Sequence, residues 1–105
     1  MLVYGSVTVP LLTETEIAQW TADGKKHFCG FVAGGTTVAG MQYRGYLNGV
    51  LKYQYRMGHP GLDDGPSSIV IPDRAVLLSA GTIVSLRAYH EGAGDATCEG
   101  TLLGG

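Results

Sequence analysis

Glycine is spread through the whole chain and constrains the fold more than any other feature. There are 17 glycines among 105 residues, without the every-third-residue spacing of collagen. Nearly every window of about a dozen residues contains glycine or proline, which disfavour helix interiors. The same windows are rich in valine, threonine, tyrosine and isoleucine, which favour strands. The sequence therefore predicts many short strands joined by tight turns.

The clearest predicted element is a β-hairpin over residues 41–57. Its centre is Asn48-Gly49, a dipeptide that tolerates positive φ at both central positions of a type I′ turn. The predicted cross-strand pairs are Leu47 with Val50, Tyr46 with Leu51, Arg44 with Tyr53, and Gln42 with Tyr55. The face expected to meet the core carries Tyr46, Leu51, Tyr53, Tyr55 and Met57. The face expected to meet solvent or a partner carries Leu47, Tyr43, Val50, Lys52, Gln54 and Arg56.

Two further strands are predicted before the hairpin. Residues 13–20 fit either a helix with a capping box from Thr13 to Glu16 or an edge strand, and the alternating polar pattern favours the strand. Residues 27–33 alternate in orientation but carry apolar residues on both faces, which predicts a strand that is covered on both sides.

The part of the chain after the hairpin is predicted to begin with a loop and continue as short strands. Residues 58–68 are rich in glycine and proline, so we expect a long surface loop. The predicted strands are residues 68–71, 75–78, 82–90 and 96–103, with a hairpin connection at residues 91–94 between the last two. One face of these last two strands carries Val84, Leu86, Ala88, Ala96, Cys98, Gly100 and Leu102. Ser85, Arg87 and Tyr89 point the other way.

These elements define a fold class. About eight or nine short strands at roughly ten-residue spacing, with almost no helix, are typical of an antiparallel β-sandwich. The prediction is an all-β, jelly-roll-like sandwich that forms one domain over residues 1–105.

Charge and hydropathy exclude several classes of partner. Nine acidic and seven basic residues give a net charge of −2, and no basic cluster exists beyond Lys25-Lys26, so no nucleic-acid partner is expected. The longest apolar runs are too short for a membrane span. The N-terminus has no basic lead-in and is interrupted by Gly5 and Pro10, so we expect no signal peptide and synthesis in the cytoplasm.

The sequence offers no recognisable catalytic or metal site. His27, His59 and His90 are isolated from one another and lack the neighbours that metal-binding or catalytic motifs require. Residues 63–65, Asp-Asp-Gly, lack the alternating oxygen ligands of a calcium loop. We therefore expect no catalytic residue, no metal ligand and no cofactor.

The chain has two cysteines, Cys29 and Cys98, which are too few for a disulfide framework and have no Cys-x-x-Cys spacing. Two free, buried thiols are the expected state. A bridge within the chain and a cross-link between chains are the alternatives, and sequence separation cannot choose among the three.

Aromatic residues are the candidates for a binding surface. Once the tyrosines of the predicted core face are set aside, the possible surface set is Tyr4, Trp20, Tyr43 and Tyr89. Such residues suit a subunit interface, which is the favoured interpretation, or a face that stacks on sugar rings.

The last third of the chain resembles the closing strands of C1q/TNF-like jelly rolls. An apolar strand leads into Leu78-Ser79-Ala80-Gly81-Thr82-Ile83-Val84, which fits the pattern Leu-x-x-Gly-[Asp/Thr]-x-Val, and Cys98-Glu99-Gly100-Thr101-Leu102-Leu103 follows the final F-x-G-x-L-L pattern. Cys98 stands where that family often has an aromatic residue. The chain is also similar to small β-sandwich proteins of tailed bacteriophages, with Val7-Thr8-Val9-Pro10 and Tyr46-Leu47-Asn48-Gly49 at the corresponding places.

These resemblances imply a threefold assembly with a structural or binding role and no catalysis. The favoured expectation is a capsid decoration, or cement, protein that stabilises the shell as a trimer on the virion surface and contacts the major capsid protein. The alternative is a receptor- or glycan-binding tip domain of a tail fibre or spike. That alternative would act through Tyr43, Tyr89 or the loop at residues 58–68.

Overall fold

A computed structural model describes residues 2–35, 41–56, 67–70, 75–92 and 94–105. Regular secondary structure in these ranges is entirely β-strand, which confirms the predicted all-β class. The strands are β1 (Leu2–Val9), β2 (Thr15–Thr21), β3 (His27–Gly35), β4 (Gln42–Leu47), β5 (Val50–Arg56), β6 (Ser67–Val70), β7 (Val76–Leu77), β8 (Ile83–Tyr89) and β9 (Ala96–Gly104). These ranges hold no helix with the length and apolarity to cross a membrane.

The strands form two antiparallel sheets that pack face to face as a sandwich. The order in the five-stranded sheet is β1-β9-β3-β6, and the short strand β7 pairs with the beginning of β3 on the same side as β6. The order in the four-stranded sheet is β2-β8-β4-β5. The predicted antiparallel β-sandwich is therefore confirmed.

The strand order is that of a jelly roll, in which a chain folds back on itself as one long hairpin and then rolls up. Strand β1 pairs with β9, β2 with β8, β3 with β6 and β7, and β4 with β5 at the tip of the hairpin. Rolling adds the pairs β9 with β3 and β8 with β4. The two ends of the chain consequently lie side by side, with Leu2 opposite Leu103.

The core lies between the sheets and follows the predicted alternation in the last two long strands. The residues that were predicted to share a face are all buried: Val84, Leu86, Ala88, Ala96, Cys98, Gly100 and Leu102. In β3 the alternation is broken, because Cys29 is an extra residue at a bulge between Phe28 and Gly30. Phe28 and Phe31 are therefore both fully buried, although simple alternation placed them on opposite faces.

The hairpin of β4 and β5 turns where the sequence predicted. Asn48 and Gly49 have φ values of 51° and 80°, as a type I′ turn requires, and the pairs Leu47–Val50 and Tyr46–Leu51 are confirmed. The next pair is Gly45 with Tyr53, so a bulge at Lys52 shifts the register by one residue. Arg44 then lies opposite Gln54 rather than Tyr53, and Gln42 lies opposite Arg56 rather than Tyr55.

The two faces of the hairpin also differ from the prediction. Tyr43, assigned to the outer face, is buried with 1% of its surface exposed, whereas Tyr46, assigned to the core, is only partly covered and lies on the outer face of the sheet. Leu51, opposite Tyr46, is exposed. Tyr53 does face the core, where its ring centre is 5.7 Å from that of Phe28. The bulge at Lys52 places Tyr53 on the opposite face from Leu51, and alternation alone does not tell which face is inside.

The predictions for residues 13–20, 91–94 and 58–68 can each be compared with the structure. The predicted strand at residues 13–20 is confirmed as the edge strand β2. The predicted hairpin connection at residues 91–94 is wrong, because β8 and β9 belong to different sheets and the connection crosses between them. Of the predicted loop at residues 58–68, residues 58–66 lie outside the described residues, and Ser67 begins β6.

Candidate functional site

The outer face of the four-stranded sheet carries a cluster of polar and charged side chains. Alternation in β4 and β8 points Gln42, Arg44 and Tyr46 to the same side as Ser85, Arg87 and Tyr89. Glu14 lies just before β2 and reaches over this face. We call the hydrogen-bonded set formed by Glu14, Arg44, Tyr46 and Arg87 the Glu14 network.

Glu14 is the centre of this network. Its Oε2 atom accepts hydrogen bonds from Arg44 Nη1 at 2.7 Å and from the Tyr46 hydroxyl at 2.6 Å, and its Oε1 atom accepts one from Arg87 Nη1 at 3.0 Å. Partial burial raises the pKa of Glu14, but the bonds from Tyr46, Arg44 and Arg87 outweigh burial, so the pKa lies below its ordinary value. The carboxylate therefore stays ionised and joins the chain before β2 to β4 and β8.

Aromatic rings complete the packing around the two arginines. The Arg44 guanidinium lies 4.7 Å from the ring centre of Tyr89, and that of Arg87 lies 4.3 Å from the ring centre of Tyr46. Arg44 also donates to Gln42 Oε1, and Arg87 Nε donates to Ser85 Oγ. The charged groups of the Glu14 network are thus already bound to one another, so this network stabilises the contact between strands.

The outer face of the five-stranded sheet is different in character. Strand register aligns Tyr4, Thr101 and Val32 in one row across β1, β9 and β3, and Ser6, Glu99 and Gly34 in the next row. A groove of about 160 Å³ lies between these rows, lined by Tyr4, residues 32–34 and residues 99–101. We call it the Tyr4 groove.

The Tyr4 side chain forms one wall of the groove and is held in place by a hydrogen bond to Glu99. Its ring is largely exposed, with 63% of the residue's surface accessible, and its hydroxyl donates a 2.8 Å hydrogen bond to Glu99 Oε2. The bond to the Glu99 carboxylate raises the pKa of the Tyr4 hydroxyl, which therefore remains a donor. Gly34, opposite Glu99, has no side chain, and this leaves a depression beside the ring.

Strand β1 is an edge strand without the usual protection against pairing with another chain. It contains no charged residue and no proline, and its eight pairs with β9 run from Leu2–Leu103 to Val9–Ala96 without a bulge. The other edges are protected: β2 has a bulge beside Glu16, β5 has a bulge at Lys52, and β6 has only four residues. We call the unpaired side of β1 the open β1 edge.

The four aromatic candidates do not form one surface. Tyr4 is exposed on the five-stranded sheet, whereas Tyr89 lies on the opposite sheet beneath Arg44. Trp20 is half-buried and packs against the core. Tyr43 is buried because its position in β4 faces inward, so its assignment to the surface set was wrong. Sequence reasoning also missed Glu14 and Glu99, whose partners come from distant strands.

The two cysteines are free thiols at opposite ends of the β3–β9 ladder. Cys98 is opposite Gly35, and Cys29 lies six residues further back along β3. At about 3.3 Å per residue the two are roughly 20 Å apart, which excludes a bridge within the chain. Burial raises the pKa of the Cys98 thiol, and its Sγ atom lies 4.0 Å from the Met41 sulfur.

The two histidines in the described ranges, His27 and His90, belong neither to the Glu14 network nor to the Tyr4 groove. His27 is exposed at the start of β3, and His59 lies outside the described residues. His90 is fully buried, with Nε2 2.8 Å from the Val9 carbonyl oxygen, and its Nδ1 has no hydrogen-bond partner among the described residues. Within the described ranges, no three side chains of histidine, cysteine, aspartate or glutamate come together as a metal-binding group.

Comparisons with protein-family models, with curated proteins and with solved structures found no match to this chain.

Proposed function

We propose that this protein is a non-enzymatic structural component of a bacteriophage virion, most concretely a decoration protein that binds the capsid as a trimer. The observation that supports assembly is the open β1 edge. Natural sheets usually protect their edges with charge, bulges or short strands, and an unprotected edge is a template for a neighbouring chain. We infer that β1 takes part in the contact between copies, and in a ring of three it would meet a different surface of its neighbour rather than the neighbour's own β1.

The virion part of this proposal rests on the sequence resemblances to C1q/TNF-like jelly rolls and to small phage sandwich proteins. The jelly-roll strand order is consistent with both. In a decoration protein, many weak contacts repeated around the shell would provide stabilisation that one contact could not. The major capsid protein is the expected partner.

The alternative of a receptor-binding tip loses two of its proposed contact residues. Tyr43 is buried in the core, and the Tyr89 ring is covered by the Arg44 guanidinium. Tyr43 therefore offers no aromatic face to a ligand, and one face of the Tyr89 ring is already occupied by Arg44.

Light scattering after size-exclusion chromatography tests the assembly step. We expect wild type to have three times the chain mass of 11.0 kDa. Thr8→Lys, which adds a charge to the exposed outer row of β1, should weaken self-association by about tenfold or more. Thr21→Lys, the same change at an exposed position of the protected edge strand β2, should leave it unchanged. A wild-type monomer at high concentration would exclude the trimer.

Co-sedimentation with expanded phage capsids that lack a decoration protein tests the virion step. We expect wild type to pellet with the capsids and to raise their resistance to heat. If the trimer forms but does not bind capsids, the proposed role is wrong even though the assembly is right.

A further inference from the structure

We propose that the Tyr4 groove binds one ring of a neutral saccharide. This inference is separate from the proposed assembly, because pairing along the open β1 edge would extend the sheet sideways and leave its outer face accessible. The groove combines an oriented aromatic ring, a depression of limited size and a single carboxylate.

The Tyr4 ring provides a stacking surface that is ordered before any ligand arrives. The bond from its hydroxyl to Glu99 restricts the ring, so a ligand that stacks on it need not immobilise a mobile side chain. An aromatic face with a polar tip suits the apolar C–H face and polar rim of a sugar ring.

The size of the groove limits the ligand to about one ring at this position. Its volume of about 160 Å³ is close to the roughly 150 Å³ of a protein cavity that accepts benzene. A six-membered sugar ring is therefore of suitable size. Because the groove is open to solvent along the sheet surface, further sugar units of a polymer could extend beyond it.

Charge selects among ligands of this size. Glu99 is the charged residue of the lining, and none of the lining residues is lysine, arginine or histidine. A phosphate, sulfate or uronic acid would therefore face a carboxylate without a compensating cation. A purely apolar ligand would cover that carboxylate without supplying a hydrogen-bond donor, which is also unfavourable. Sugar hydroxyls supply donors to Glu99, and Thr101 offers a hydroxyl on the same row as Tyr4.

NMR titration of the isotope-labelled full chain provides the test. The probes are the methyl glycosides of glucose, galactose and mannose, with methyl glucuronide as the charged counterpart of the first. We expect at least one neutral glycoside to shift the amide signals of Tyr4, Gly34 and residues 99–101. Methyl glucuronide should bind about tenfold more weakly than the neutral glycosides that bind.

Three variants determine whether the shifts come from this groove. Tyr4→Ala should weaken binding by about tenfold or more because it removes the stacking ring. Glu99→Gln should remove the discrimination against methyl glucuronide. Leu2→Ala, a change at an exposed residue of the same strand outside the lining, should bind like wild type. The amide spectra also show whether each variant is folded.

The proposal is overturned if no neutral glycoside shifts these amides, if Tyr4→Ala binds as well as wild type, or if methyl glucuronide binds as tightly as the neutral rings. Because these measurements do not depend on oligomeric state or capsid binding, a negative result would leave the assembly proposal intact.

Discussion

Gly5 of β1 lies against the backbone carbonyl of Ile17 in β2, at the side of the sandwich where the two sheets approach each other. A Cβ atom placed on Gly5 would overlap the carbonyl carbon and oxygen of Ile17, and these backbone atoms cannot rotate away. We expect Gly5→Ala to lower the free energy of unfolding by about 3 kcal/mol, as strong overpacking does. Denaturant titration measures the change.

A glycine in open space provides the control for this substitution. Gly81 has a φ of 92°, and a Cβ there would meet nothing within 4 Å. Gly81→Ala should therefore cost about 1 kcal/mol, from backbone conformation alone. Equal losses in the two variants would mean that close contact with Ile17 is not what requires glycine at position 5.

The Glu14 network predicts a pH-dependent contribution to stability. Glu14→Gln keeps the shape of the side chain but removes the charge that Arg44 and Arg87 share, so we expect a loss of about 1–2 kcal/mol at neutral pH. The pKa of Glu14 is lowered on folding. Its contribution is therefore complete above the unfolded-state pKa and is lost as the pH falls through the folded-state pKa.

Urea titrations of wild type and Glu14→Gln across the acidic range measure this difference. The two stabilities should converge in acid. Glu91→Gln makes the same charge change at an exposed residue and should remain close to wild type throughout. A gap between wild type and Glu14→Gln that persists below the folded-state pKa would show that Glu14 does not act through its charge.

Leu12 is a strained residue at an exposed turn. Its φ is 56°, and the turn is closed by a 3.3 Å hydrogen bond from the Thr13 amide to the Pro10 carbonyl. Left-handed conformation costs an ordinary residue about 1–2 kcal/mol, and asparagine tolerates it better. We expect Leu12→Asn to raise the free energy of unfolding by about 1 kcal/mol.

Leu11, the preceding residue, is also exposed but does not have a positive φ, and so provides the matched control. Leu11→Asn should change stability by less than about 0.5 kcal/mol in either direction. Thermal unfolding of the two variants under the same conditions compares them. A destabilised Leu12→Asn would mean that the leucine side chain makes a contact worth more than the strain.

The two thiols should differ in reactivity. Cys98 is fully buried and burial raises its pKa, so little thiolate is available, whereas Cys29 is partly exposed. We expect a thiol-specific dye to label Cys29 in the native protein and Cys98 only after unfolding. In Cys29→Ser, native labelling should therefore be lost. Labelling of that variant at the same rate with and without denaturant would contradict the burial of Cys98.

Features that depend on neighbouring residues in the sequence could be predicted. The turn at Asn48-Gly49 is correct because positive φ at both central positions is a local requirement that these residue types meet. The grouping of residues on one face of β8 and of β9 is also correct, because both strands alternate without interruption. The sandwich class follows from the number and spacing of such elements.

Features that depend on bulges or on strand order could not be predicted from the sequence. The extra residues Cys29 and Lys52 shift alternation by one, and a bulge is not marked by composition alone. Glu14 is separated from Arg44 by 30 residues and from Arg87 by 73, so their contact exists only once β4 and β8 are neighbours. The same is true of Tyr4 and Glu99, which are 95 residues apart.

The pairing of the first long strand with the last also affects how the protein is made. Among the nine described strands β1 leaves the ribosome before the others and its partner β9 leaves after them, so β1 must wait until the strands between them have emerged. Contacts between such distant segments are slow to form, on a scale of about milliseconds to seconds. Throughout that interval β1, an uncharged segment that favours strand structure, has no partner strand. Aggregation is therefore most favoured while the chain is being synthesised and many nascent chains are close together.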